Sequence, residues 1–481
     1  MNTKPPSVKL LMNTFNHSPE LDQSYDLIVA GAGIGGISAA IAAARAGARV
    51  LLIEAAPVVG GTGVHSPVGL VCSYRDNSDR PINTGLHKEF FPDVYENPVP
   101  PDLNPKEAWF GSRLESYDHR QLLANYQRAI AGEPNLTVVT STRVIEARVI
   151  GGRITSIRLD GARTGEVNAA VFVDSTADGN LSALAGAEFQ IGRDTDGALQ
   201  PATLTFGMSN IDFSKATTVQ YPTDRFPLWD ETHAFNQEIS TVYAAARKSG
   251  ETDNPKEDVF GIPYPDGKSL LFNSTRVLGV DPTKPGSVEA ARAAGERQVL
   301  ALIAILRRHP SFENAKVDFI STKLGVREGR RVIGDYILTA EDCLLPARFD
   351  DMIAACAYKI DIHNPTGSGA YFQEIPSPGY YHIPYRCLLA KGFSNLLLGS
   401  RCISGTHEAH SSYRVMAPLS AIGQAAGVAG ALVVRSGKAD VREIDAAAIR
   451  WILREQGQFV EGSCTPDSSD ILTTSTHRDS L

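Results

Sequence analysis

The chain has 481 residues, a formal net charge of −8, 43% apolar residues and 21% charged residues. That length supports two or three domains with substantial cores, and an acidic balance without any Lys/Arg-rich run argues against nucleic acid as a partner. Cys72, Cys343, Cys356, Cys387, Cys402 and Cys464 show neither C-x-x-C nor zinc-ligand spacing, so no disulfide framework, metal site or dithiol redox centre is expected, and a reducing, cytoplasmic setting is.

Residues 1–24 form a polar tail with neither a basic n-region nor an apolar h-region, and no secretory signal is expected there. Asp26 to Ala30 is a short apolar run that reads as a buried parallel strand. It enters Gly31-Ala32-Gly33-Ile34-Gly35-Gly36, in which Gly31 permits the tight turn, Gly33 lets the backbone approach a pyrophosphate and Gly36 lets the next helix sit close to the sheet. The helix runs from Ser38 to Ala46 with Gly47 as its C-cap, and a second strand ends at Glu54, where a carboxylate can accept ribose hydroxyl hydrogen bonds. This is a dinucleotide-binding βαβ unit, with the anion favoured by free N–H groups and the positive end of the helix dipole.

Gly60-Gly61-Thr62 follows, and then an irregular loop to about Pro105. Leu122 to Ala131 reads as a helix and Leu136 to Val139 as a strand, and Thr142-Arg143-Val144 to Leu159 reads as a meander turning at Gly151-Gly152. Ala170 to Asp174 is another apolar strand, breaking into the small-residue turn Ala177-Asp178-Gly179. Farther on, Ala202 to Met208 is strand-like. Thr217 to Asp266 is rich in Pro, Tyr and charge, as expected of a lid or of a contact in a homo-oligomer. Val288 to His309 is an amphipathic helix with Ser287 as its cap and Pro310 as its stop. Ser321 to Ile333 reads as strand, helix and turn, with Arg327, Arg330 and Arg331 interleaved with Glu328 as internal ion pairs. Asn395 to Arg401 repeats the strand-and-turn pattern ahead of the helix Val415 to Val433. That helix is the longest apolar stretch, but Pro418, Ser420, Gln424 and its glycines fit a buried helix rather than a membrane span. Residues 465–481 are a Ser/Thr/Asp-rich tail, expected to be mobile or to contact a partner.

Gly60-Gly61-Thr62, Val173 to Gly186, Leu199 to Phe206, Arg327 to Thr339, Ile383 to Arg386, Asn395 to Glu408 and Ala425-Ala426-Gly427 occur in this order. Together they are similar to the bacterial FAD-dependent oxidoreductase family over about Tyr25 to Phe459. The arrangement resembles the FAD-binding half of the glutathione-reductase and succinate-dehydrogenase type flavoproteins. The resemblance implies an α/β fold, with a Rossmann-like FAD-binding domain (25–188 and 386–464) split in sequence by an inserted α+β substrate domain (189–385). It implies FAD as the cofactor, contacted by Gly31, Gly33, Ile34, Gly36, Glu54, Ala55, Gly61, Thr62, Val144, Ala177, Asp178, Gly399, Arg401, Val415 and Met416. Thr62 to Cys72 departs from the Ala/Thr-rich loop of such proteins near the flavin ring, so the substrate is expected to differ.

The cofactor dictates the chemistry, which is hydride transfer between a polar small molecule and flavin N5, with a protein group taking the proton. Histidine titrates in the right range, and His407, His363 and His382 are the candidates, with Arg386 to pair with a substrate carboxylate. His407 stands first because it lies between the Gly399 turn and the Val415 helix, whose positive end is expected near flavin N1 and O2. His65 is the candidate for a covalent flavin link, and Cys72 and Cys402 are the thiols to test for flavin contact. Two other readings stay open. A nicotinamide-coupled enzyme would need a second G-x-G-x-x-G, and none is evident between Phe189 and Tyr385. A flavin-binding subunit would pass its electrons to a protein partner.

Overall fold

The computed structural model describes residues 21–96, 115–218, 229–462 and 464. Most of the N-terminal tail, all of the C-terminal tail, the end of the loop expected to reach Pro105, and 219–228 within the expected lid lie outside the described residues.

The first strand, β1 (Ser24–Ala30), leads into α1 (Ile34–Arg45) and β2 (Val50–Ile53). Every residue of β2 is buried, as a parallel strand covered on both faces requires. β1 pairs in parallel with β2, Ala30 opposite Ile53, and on its other side with Gly165–Asp174, Ala30 opposite Asp174. Leu136–Val139 extends the sheet beyond β2, and Leu396–Leu398 adds a parallel strand beside Gly165–Asp174. The C-terminal ends of β1, β2 and Gly165–Asp174 therefore share one edge, where ligands of open α/β sheets bind. Thr142–Ile150 and Arg153–Gly161 complete the seven-stranded sheet as the expected meander, with Gly151 and Gly152 both at positive φ in its turn.

A smaller core lies around a four-stranded antiparallel sheet, in the order Gly261–Pro263, Leu270–Phe272, Phe206–Ser209, Lys316–Ile320. Its apolar side chains, among them Phe206, Phe235, Phe272 and Phe312, come from Ala202 to Leu324. Val332, Ile353, Tyr381 and Ile383 pack instead into the larger core with β1. The smaller core thus ends well before Tyr385, because the later strands find apolar partners on the long C-terminal helix and the turns beside it.

Three local expectations change. Ser287 begins the helix Ser287–Leu306 rather than capping it: Gly286 is the N-cap, and the Ser287 hydroxyl accepts the Asp281 N–H. No helix forms between Ser321 and Ile333. Gly325 bridges to Thr203, and Arg330–Val332 pairs with Phe189–Ile191. An additional helix, His407–Tyr413, is capped by Thr406 and precedes Met416–Ser436, for which Val415 is the N-cap.

Helix Met416–Ser436 packs backbone to backbone on α1. A Cβ on Gly423 would lie 2.0 Å from the Gly35 carbonyl oxygen, and one on Gly427 would lie 2.0 Å from that of Ala39. Its polar residues are satisfied inside the protein: Ser420 bonds to Ser38, and Gln424 accepts from the Leu86 N–H. This helix is long and apolar enough to cross a membrane, yet it is almost wholly buried, as a core helix is.

Candidate active site

The glycine-rich turn is built by sterics. Gly31 has φ +96, and a Cβ there would lie 2.4 Å from the Ser175 carbonyl oxygen. On Gly36 a Cβ would lie 1.7 Å from the Gly31 oxygen, so α1 could not start this close to the sheet with any other residue. Gly33 differs, because a Cβ there would meet nothing nearer than the Gly61 Cα at 3.9 Å, and the space above it is open. Glu54 holds the turn in place, its carboxylate accepting the Ala32 and Ala56 N–H groups at 2.8 Å each. Lys323 lies 3.6 Å from the same carboxylate.

Over this turn opens a cavity of about 520 Å³. From the large sheet it is walled by Gly31, Gly33, Ile34, Glu54, Ala177 and Asp178, from the short helix after β2 by Gly61 and Thr62, and from the second turn by Arg401, Val415 and Met416. From the smaller core and the strands after it come Thr203, Lys256, Arg276, Arg327, Tyr358, Asp361 and His363.

Four residues expected at the cofactor do not line it. Gly36 is used up in helix packing, and Gly399 presses its carbonyl against Gly35 and its α-carbon toward Ser175. Ala55 is exposed, and Val144 packs against the larger core from the meander.

Of the expected catalytic residues, the cavity wall includes only His363. His407 is buried with Nδ1 2.8 Å from Glu328, a carboxylate that also takes Arg331 at 2.7 Å. It therefore belongs to an internal ion cluster, and it reaches the site indirectly: the other Glu328 oxygen accepts the Gln200 N–H, and the Gln200 side chain accepts the His363 N–H. His382 donates from Nε2 to Glu461 and accepts the Phe349 N–H at Nδ1. Arg386 makes a two-bond fork to Asp351 and stacks 5.1 Å from the Tyr336 ring, so its charge is already matched. His65 uses both ring nitrogens, on Val58 and Thr322, and stands outside the cavity wall. Cys72 lines the cavity, its thiol pushed up to about 12 by burial, whereas Cys402 points its thiol at the Asp174 carbonyl. The arginine trio divides: Arg331 forms the expected buried ion pair, Arg330 bonds to the Asp178 carbonyl and Asn180, and Arg327 faces the cavity.

Around His363 the geometry is dense. Asp361 and His363 share one face of the strand Ile360–His363, two residues apart. His363 Nδ1 lies 3.2 Å from an Arg276 Nη, which can only donate, so Nδ1 accepts and Nε2 carries the proton, 3.3 Å from Asp361 Oδ1. Burial first, and then Arg327, Arg414 and Arg276, hold the imidazolium form well below its usual range. The ring is neutral at neutral pH. Tyr358 donates to the other Asp361 oxygen at 2.8 Å, and Arg414 lies 3.5 Å from it.

The profile of the family described as FAD dependent oxidoreductase matches residues 26–453. The chain belongs to that family. FAD is its cofactor. One curated relative, the 15-cis-phytoene desaturase of Solanum lycopersicum, is 36% identical over 77 residues, 16% of this chain and 12% of that protein's length. Among solved structures, a geranylgeranyl bacteriochlorophyll reductase-like protein of Thermoplasma acidophilum covers 90% of this chain and 87% of its own, at 12% identity and TM-score 0.40. A flavin-dependent brominase covers 90% and 83%, at 12% identity and TM-score 0.43. The p-nitrophenol 4-monooxygenase of Pseudomonas putida covers 89% and 83%, at 10% identity and TM-score 0.40.

The cavity of this oxidoreductase fits such a cofactor on its own evidence. Ser66, Ser175 and Arg401 line it, and the two hydroxyls and Arg401 Nε are buried without a hydrogen-bond partner among the described residues. Buried polar atoms are normally satisfied, and a polar ligand lying along this wall would satisfy these.

Proposed function

We propose that this chain is an FAD-dependent dehydrogenase or oxidase that exchanges a hydride with a polar small molecule. The observation that carries the reading is that one cavity joins the open glycine turn to the Asp361–His363 pair. In this reading Gly33 and Ile34 present peptide N–H groups to the diphosphate, the Gly31 N–H being held by the Ile53 carbonyl, and Glu54 accepts from the ribose. Gly61, Thr62, Ala177, Asp178 and Arg401 line the length of the cofactor. The helix that starts after Val415 has no side-chain cap, so it would offer free N–H groups and its positive end to a bound flavin. The smaller core, Ala202 to Leu324, and the strands after it contribute the substrate side. When bound, FAD supplies a ring that accepts a hydride.

The chain's own residues position the substrate and move its proton. With Nδ1 tied to Arg276, neutral His363 turns its Nε2–H toward Asp361 Oδ1 at 3.3 Å without bonding it, and that oxygen has no hydrogen-bond partner among the described residues. That oxygen is the proton acceptor in this reading, and His363 orients it and shares its charge. The histidine assistance expected of His407 therefore passes to His363.

Anaerobic mixing of the yellow holoprotein with a panel of polar alcohols, amines, hydroxy acids and amino acids tests the proposal. At least one compound is expected to bleach the flavin, and Asp361→Asn is expected to slow that bleaching by about 100-fold or more while FAD stays bound. Bleaching at an unchanged rate in Asp361→Asn and His363→Gln would remove the pair from the mechanism.

A further inference from the structure

Arg276, Arg327 and Arg414 converge on the Asp361–His363 end of the cavity, and their charges are not balanced. Arg276 is 6% exposed, and its contacts are carbonyls and an imidazole: Gly367 and Gly369 at 2.8 Å each, and His363. Arg327 donates one Nη to the Pro201 carbonyl and to Thr203, which leaves its Nε and other Nη without a bond to any described residue. No carboxylate lies within ion-pair distance of either arginine among the described residues. Arg414 reaches Asp361 at 3.5 Å, and its Nε is buried without a partner. Lys256 adds no free charge, because Asp258 neutralises it. Three guanidinium groups thus face Asp361, while Asp258 and Glu257 act on Arg276 from beyond ion-pair distance.

Unpaired buried cations are costly, and structures keep them where an anion completes them. Burial and then Arg414 push the Arg327 guanidinium down to about 9, with Arg276 adding to the fall and Asp361 opposing it. Asp361 also limits the anion. A phosphate dianion would set more negative charge against it, whereas one planar carboxylate matches the flat guanidinium forks and leaves Asp361 its role.

We infer that the substrate of this oxidoreductase carries a carboxylate, held as its anion by Arg327 and Arg276 with Arg414 behind them, so that the adjoining carbon lies beside Asp361. The inference rests on the oxidoreductase reading above, but its test is a binding measurement. The holoprotein is titrated at fixed ionic strength with acetate, lactate and benzoate, each against its primary amide, and with inorganic phosphate. Flavin absorption and the thermal midpoint are the readouts, and FAD content is measured on the same samples. At least one acid is expected to bind about tenfold or more tightly than its amide, and Arg327→Gln is expected to erase that preference with FAD content unchanged. Arg327→Lys is expected to restore part of it. Acids that bind no better than amides, phosphate that binds more tightly than every acid, or an unchanged preference in Arg327→Gln would each overturn the inference. Protein that purifies without FAD would sink the oxidoreductase reading instead, and the thermal midpoint would still report on the anion site.

Discussion

At the scale of single residues, burial decides which titratable groups matter. His87 is completely buried, donates from Nδ1 to Tyr95, and leaves Nε2 without a partner. Burial alone lowers its imidazole to about 3 from an ordinary value of 6.5. Between those values the unfolded chain binds the proton and the folded chain does not, so stability rises with pH across the window and is lost on acidification. This residue is expected to contribute a slope of about 1.4 kcal/mol per pH unit. Denaturant titrations between about pH 6 and about pH 4 should show a shallower slope in His87→Gln than in the parent protein, and identical slopes would mean that another group carries the proton. The same logic explains what the sequence revealed of the site and what it hid. The alternation Ile360-Asp361-Ile362-His363 puts an acid and a histidine on one strand face, a signal open to anyone reading with period two. Arg276 carries no local signal, because its partner His363 is 87 positions away. His407 looked apt from its place between a turn and a helix, and Glu328, 79 positions upstream, withdraws it into the interior.

At the scale of elements, glycine spacing was the most legible feature, because it reports close backbone approach directly. It located the turn after β1, the meander turn at Gly151-Gly152 and the buried character of the long C-terminal helix. The helix His407–Tyr413 leaves little trace in the sequence because it is short and polar, and its cap at Thr406 has no apolar run behind it. The helix expected within Ser321 to Ile333 fails because strand partners at Thr203 and Phe189–Ile191 take up its backbone. Gly423 and Gly427 set the distance between Met416–Ser436 and α1, and so the position of the turn above Gly33. Gly427→Ala would drive a methyl into the Ala39 carbonyl and force the helices apart, at an expected cost of about 1 to 3 kcal/mol and with weaker FAD retention. Thermal unfolding and flavin release on dilution would report both, and a variant as stable and as yellow as the parent would show that the contact is slack.

At the scale of the whole molecule, two cores of unequal size meet around one cavity, which takes its phosphate-facing wall from one and most of its cationic wall from the other. A chain with net charge −8 thereby concentrates positive charge in one enclosed place, and low-dielectric walls strengthen that field for an entering anion. Everything in this account depends on FAD lying with its diphosphate over Gly33. That residue offers a clean test, because a Cβ there would meet nothing nearer than the Gly61 Cα at 3.9 Å and would point into the space assigned to the ligand. The deciding measurement is the FAD content of purified Gly33→Val beside the parent protein, with circular dichroism to confirm folding. A folded, colourless variant and a yellow parent are expected; a folded Gly33→Val that retains FAD as the parent does would contradict a diphosphate bound over Gly33.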